Sequence, residues 1–323
     1  MKQLPLLLVL LLGLQCKEHQ VTSGTNTSGS IPNEKLPKVS LVILGTIQDA
    51  GSPHIACKKA CCEALFRNPD PNRKVTSLGL IDPGNDKAFL IEATPNIASQ
   101  IKELSRYSGS GRELPSAIFI THAHIGHYSG LMYLGKEATN ANEVPVYGMP
   151  EMNTFLENNG PWSQLVTNKN IDLRPLESGK EADISPSPSV SPFIVPHRDE
   201  FSETVGFFIE GRFKKALFIP DIDKWEKWEI PLADAISSVD YAFLDGTFYD
   251  AEEVNYRDIS EIPHPFIIET MELLESLSES EKNKVYFIHF NHTNPVLDKS
   301  SEAYKTVIEK GFQLAEIGKV FEL

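Results

Sequence analysis

Three of the chain's nine histidines fall within six positions, in THAHIGHYSG (residues 121–130), directly behind the apolar run AIFI. His122 and His124 are two apart at the end of an expected strand, so extended backbone points both side chains the same way. His127 lies about a turn further on. Neutral imidazoles are the commonest metal ligands, and three this close can face one or two ions. Taken alone, an HxHxxH run reads equally well as an exposed histidine-rich loop.

The segments that must position these side chains decide between the two readings. VSLVILG (39–45) is a buried-strand pattern, and VTSLGLID and KAFLIEA flank the turn PGND as a hairpin. NIASQIKELSRY (96–107) carries Ile97, Ile101 and Leu104 at helical spacing, and SAIFITH returns to strand. A helix over GLMYLGKEA, a strand VPVYG and a helix from Pro150 follow. Beyond the Pro/Ser loop ISPSPSVSP, the runs FIVPH, VGFFIE and KALFIPD read as successive strands. DYAFLDG and KVYFIH are strands separated by a helix over HPFIIETMELLESL. Strands in blocks with interleaved helices suit two stacked sheets with helices outside, in one domain over residues 39–323. FIVPH ends in His197, KALFIPD in Asp221 and KVYFIH in His289. Several apolar strands ending in ligand-type residues describe a rigid scaffold delivering side chains to one rim, which favours a metal centre.

With those residues in hand, the chain resembles the metallo-β-lactamase superfamily, whose fold is a four-layer αββα sandwich with metal at one edge. The resemblance implies that His122, His124 and His197 hold a first ion, with Asp221 bridging. His127, Asp221 and His289 would hold a second. LGTIQDAGSPHIACKKACC, DYAFLDGTFYD, RDIS and FIHFNHTNP, spread over residues 44–295, further resemble pyrroloquinoline quinone biosynthesis protein B and its relatives. The histidine loop is closer to the hydrolase branch. Where those hydrolases carry an aspartate ligand, this chain has Gly126. The expectation is one firm ion and a second lost first on mild chelation, with His292, Asp245 or Asp199 as substitutes for the missing carboxylate. A histidine-rich set with a carboxylate suits Zn²⁺, and iron or manganese accept the same donors. Zinc lowers the pKa of bound water to about 7, giving a nucleophile at neutral pH. Asp221 is then catalytic as well as a ligand. Asp245 and His292 are candidate proton shuttles, or else respectively a strand-end cap and an outer partner of His289.

HIACKKACC groups His54, Cys57, Cys61 and Cys62, which read either as a structural zinc site, by the same resemblance, or as buried free thiols. DKWEKWE (223–229) spaces two tryptophans for helical packing or for stacking on a substrate. The N-terminus, MKQLPLLLVLLLGLQC, resembles a lipoprotein signal ending at Cys16, followed by a polar tether over residues 17–38. Export with a lipid anchor at Cys16 is therefore expected, with plain signal-peptide cleavage to a periplasmic or secreted protein as the alternative. The formal net charge is -14 and the densest basic run is RFKK, so nucleic acid is excluded as a substrate class and a small molecule is expected. Three functions follow: a metal-dependent hydrolase of acyl or phosphoryl substrates, an iron-dependent oxygenase-type enzyme of the biosynthesis branch, or a binding protein on the same scaffold.

Overall fold

The computed structural model describes residue 36 and residues 38–323 apart from 109–110, 185–186 and 255–261. The signal segment, Cys16 and the tether up to residue 35 lie outside the described residues. Contacts group Asn33–Leu323 into one unit, and among the described residues no helix is long and apolar enough to cross a membrane.

The first sheet runs β1 (Ser40–Gly45), β2 (Ser77–Asp82), β3 (Lys87–Ile91), β4 (Ala117–Phe119), β5 (Val144–Gly148) and β6 (Ile171–Pro175). The second runs β7 (Ser189–Ile194), β8 (Val205–Glu210), β9 (Lys215–Ile219), β10 (Tyr241–Asp245), β11 (Val285–Ile288) and β12 (Gln313–Leu314). A last strand, β13 (Val320–Glu322), adds to the first sheet beyond β1. The helices are α1 (Ala60–Arg67), α2 (Ile97–Ser105), α3 (Ile125–Tyr128), α4 (Pro150–Asn158), α5 (Trp162–Thr167), α6 (Leu232–Ser237), α7 (Ile267–Leu273), α8 (Glu279–Lys282) and α9 (Glu302–Glu309).

The strands carry apolar residues on both faces, and alternation assigns each face to a different core. Leu41, Ile43, Phe119, Phe207, Phe218 and Phe243 meet between the sheets. Their chain neighbours Val42, Leu44 and Ile118 face outward beneath α2, α4 and α5. Leu217, Ala242, Leu244 and Phe287 do the same beneath α6, α7 and α9. A sheet buried on both faces needs a helix layer on each outer side. The layers are therefore helix, sheet, sheet, helix, and the strand blocks expected from sequence form the αββα sandwich.

Strand direction places the rim. β1 pairs antiparallel with β2, β2 antiparallel with β3, and β3 parallel with β4, so the carboxyl ends of β1 and β4 share an edge. By the same reasoning β7, β9, β10 and β11 end together. An isolated parallel bridge, Ile47 to Phe290, stitches the two edges to each other.

Candidate metal centre

Each ligand-type residue named from the sequence sits just beyond one of those carboxyl ends. His122 follows β4, His124 precedes α3 and His127 lies within it. His197 follows β7, Asp221 follows β9 and His289 follows β11. The histidine loop is held by backbone: His127 N–H donates to the His124 carbonyl at 2.9 Å, and Ala93 N–H donates to the His127 carbonyl at 2.8 Å. The Ser202 hydroxyl accepts from Ala123 N–H at 2.8 Å, pinning the loop to the second sheet's side.

Two donor sets result, and Asp221 stands between them. His122, His124 and His197 form one group with donor atoms in mutual reach, and Asp49, His127, Asp221 and His289 form another. Asp221 Oδ2 lies 3.0 Å from His127 Nε2, 3.2 Å from His289 Nε2 and 4.0 Å from His122 Nε2. Its Oδ1 faces His197 Nε2 and His264 Nδ1, both at 3.7 Å. Asp49 Oδ1 lies 2.9 Å from His127 Nε2 and 3.3 Å from His289 Nε2.

Most of the ring nitrogens turned away from the centre have their own partners. The Thr121 hydroxyl meets His122 Nδ1 at 2.8 Å, and the Thr247 hydroxyl meets His289 Nδ1 at 2.9 Å. Glu92 Oε1 backs His127 Nδ1 and Asp223 Oδ1 backs His197 Nδ1, each at 3.4 Å. Such backing fixes which nitrogen points inward, as metal-binding histidines require. Glu92 and His289 both hold left-handed backbone, at φ 73° and 67°, a conformation that concentrates where function over-determines the chain.

Electrostatics follow from this crowding. Burial works to raise the carboxyl of Asp221, but the imidazoles of His289, His127 and His122 outweigh it and hold it well below the usual range. Asp49 behaves alike, with His127 the main counterweight to burial. Burial opposes a charged His127, yet Asp49, Glu92 and Asp221 push its pKa well above the ordinary value. Burial lowers His122 far below its ordinary value, reinforced by His127.

The donor set fits divalent cations. The inward ring nitrogens, Nε2 of His127 and of His197, together with Asp221 Oδ2, are buried and make no hydrogen bond. Buried polar atoms are otherwise almost always paired, and leaving them unpaired is costly. Imidazoles and carboxylates converging from five chain segments are the donors zinc, iron or manganese take.

The remaining sequence-selected residues have other places. Asp245 is fully buried and accepts from Ile222 N–H, Thr247 N–H and the Thr247 hydroxyl. Its Oδ2 also holds His264 Nδ1 at 2.7 Å, so Asp245 supports the rim through His264 and Thr247. Asp199 accepts from the Thr204 hydroxyl and joins neither donor set. His292 leaves the rim for the cysteines: Cys57, Cys61, Cys62 and His292 form a third donor group. The sequence had put His54 there. Instead, the His54 ring packs on His292 at 4.4 Å while its Nδ1 faces the Ile55 carbonyl. Backbone N–H groups of Lys59 and His54 point at the sulfurs of Cys57 and Cys62. Burial pushes the Cys62 thiol up to about 12 and His292 down to about 4. A cysteine-rich set with a neutral imidazole suits structural zinc. Trp225 and Trp228 are packed indoles whose N–H groups donate to the Thr270 hydroxyl and the Ile194 carbonyl. The groove of about 680 Å³ beside them contains none of the rim histidines.

Sequence reasoning missed Asp49 and His264. Asp49 sits in the quoted QDAG without a metal-binding spacing around it, and His264 precedes α7 far from any strand end. Burial works to strip His264 of its proton, but Asp245 above all, then Asp221, lift it to about 9. His264 Nδ1 stands 3.7 Å from Asp221 Oδ1, and His197, Asp221 and His264 have donor atoms in mutual reach.

Similarity to known proteins agrees with this fold. The Pseudomonas fluorescens (strain Pf0-1) "Coenzyme PQQ synthesis protein B" is 25% identical over 301 residues, covering 85% of this chain and 97% of the relative. That of Methylorubrum extorquens (strain PA1) is 23% identical over 313 residues, covering 88% and 99%. Zn²⁺-bound PqqB from Methylobacterium extorquens superposes with a TM-score of 0.72 at 21% identity, covering 88% of this chain and 100% of that one. A diphosphatase from the PhnP family gives a TM-score of 0.60 at 21% identity, covering 88% and 97%. The profile of the beta-lactamase superfamily domain matches residues 80–290, and the chain belongs to that superfamily, the metallo-β-lactamases.

Proposed function

We propose that the protein is a metal-dependent hydrolase of a small phosphoryl or acyl ester. The observation that carries this reading is the pair of donor sets joined at Asp221, open to solvent beside His124 and Asp49. Divalent cations bound there supply Lewis acidity and lower the pKa of coordinated water. The chain's own residues orient the imidazoles from behind, and Asp245 Oδ2 holds His264 Nδ1 at 2.7 Å within reach of the rim. Arg198 Nη2 lies 3.4 Å and Glu200 Oε2 3.5 Å from His124 Nε2, so a cation and an anion stand side by side at the mouth. The structural similarity to a diphosphatase favours phosphoryl over acyl transfer. Protein loaded with Zn²⁺ or Mn²⁺ is expected to turn over bis(p-nitrophenyl) phosphate or p-nitrophenyl acetate. Asp221→Ala should remove that turnover by at least on the order of 10²–10³-fold. Wild-type protein with full metal and no hydrolysis across a panel of both ester classes would overturn the reading.

A second reading is chemistry of the PQQ-synthesis kind with iron in the same donors, favoured by similarity along nearly the whole of those relatives. Metal analysis of protein purified without added metal separates the two: iron with oxygen consumption supports the second reading, zinc with ester hydrolysis the first.

A further inference from the structure

We infer that Asp49 is the carboxylate ligand of the second metal position, supplied from the loop after β1 in place of a carboxylate at position 126. The inference rests on the proposed metal site and assigns one of its ligands. Three observations carry it.

Asp49 Oδ1 touches the Nε2 atoms of both His127 and His289, the two histidines of that set, on the side away from their backing partners. Its position is fixed independently of any ion. Gln48 N–H donates to the Phe290 carbonyl at 2.9 Å, and Phe290 N–H donates to the Thr46 carbonyl at 2.8 Å. This bridge leaves Asp49 one residue past one anchor and His289 one residue before the other, so the two enter the rim together.

The third observation is Gly126 itself. A Cβ at this position would collide with Asp49 Oδ1 and come within 2.5 Å of Asp49 Cα. Residue 126 therefore has no room for any side chain while Asp49 stands where it does. The glycine is the complement of the aspartate: one position gives up its side chain and the other fills the space with a carboxylate. On this assignment the second site has its carboxylate although position 126 supplies none. Gly126→Asp must displace the loop that bears Asp49.

The test uses the full chain and Zn²⁺ alone as probe, counting bound metal per chain after dialysis and titrating the stripped protein by calorimetry. Asp49→Asn keeps the shape and removes the charge; it should bind one ion fewer than wild type, or bind the last rim ion at least about 10–100-fold more weakly. Gly126→Ala adds only a methyl group and should produce the same loss, although alanine brings no ligand and favours a helix. His124→Ala identifies which ions belong to the rim. If Asp49→Asn retains every ion at wild-type affinity, Asp49 is no ligand and the proposed hydrolase survives. If His124→Ala changes nothing because the wild-type rim binds no ion, the ligand assignment and the hydrolase reading fall together. Should Asp49→Asn prove poorly folded, Gly126→Ala with intact ion count overturns the assignment on its own.

Discussion

Glu92 and Asp223 each stand 3.4 Å behind a rim imidazole, Glu92 behind His127 and Asp223 behind His197. Their surroundings differ. Glu92 is fully buried, and desolvation raises its pKa despite His127 beside it. Asp223 is held down to about 2 by its contact with His197, with Lys227 helping. Both carboxylates polarise a ring whose other nitrogen faces the donor set, so neither needs to touch an ion to govern its affinity. Glu92→Gln and Asp223→Asn are each expected to weaken rim metal binding about 10–100-fold in a competitive chelator titration. Affinity unchanged in both variants would show that the pairs are incidental. Of the six rim residues named from the sequence, His122, His197, Asp221 and His289 follow apolar strands, while His124 and His127 complete the HxHxxH run around α3, and both patterns are visible in one dimension. Glu92, Asp223 and Asp49 were not, since a lone acid carries no spacing and its partner is found only in space. Asp49 meets His289 across 240 residues of sequence.

The segment between β1 and α1 does two jobs with one stretch of backbone. It carries Asp49 at the rim and Cys57 in the cysteine–histidine group, while Cys61 and Cys62 open α1. Beyond β11, His289 enters the rim and His292 enters the cysteine group, three residues apart. The two loops are thus joined twice, by the bridge at Ile47 and Phe290 and by whatever the four sulfur and nitrogen donors hold. Zinc in that group would clamp Asp49 and His289 in register. Cys62→Ser is therefore expected to cost about 2–3 kcal/mol of bound-metal stabilisation, the size expected for losing a ligand present near 100 times its Kd. It should also weaken the rim ion held by Asp49, although Cys62 is no rim residue. Thermal unfolding with and without chelator, alongside metal counting, reads both effects; a variant losing stability but keeping rim affinity would uncouple the two sites. Local helix extents were less legible than strands. The helix expected over HPFIIETMELLESL is only Ile267–Leu273, because Pro263 and Pro265 hold the preceding backbone extended and bring His264 to the rim instead. GLMYLGKEA gives only a 3₁₀ turn at Ser129–Leu134, where Gly130 N–H is already committed to the Ala93 carbonyl at 2.8 Å.

Three apolar clusters hold the sandwich together, one between the sheets and one under each helix layer, and none of them includes a rim ligand. Burial of this extent is the main driving force for folding, and it is available before any ion binds. The αββα order could be read in the sequence because strands that are apolar on both faces leave few alternatives. How the two sheets meet could not, since the stitch between Ile47 and Phe290 is a single pair of backbone bonds with no side-chain signature. Separation of core from rim has a measurable consequence. Chelation should strip the ions and lower the midpoint of thermal unfolding while leaving the far-UV circular dichroism unchanged at 25 °C, and Zn²⁺ should restore the midpoint. Phe218→Ala, which empties a fully buried position between the sheets, should do the reverse. It is expected to cost about 3–5 kcal/mol of stability and leave the number of rim ions in the folded fraction as in wild type. Loss of the far-UV signal on chelation would mean that the ions, rather than the three cores, hold the sheets together.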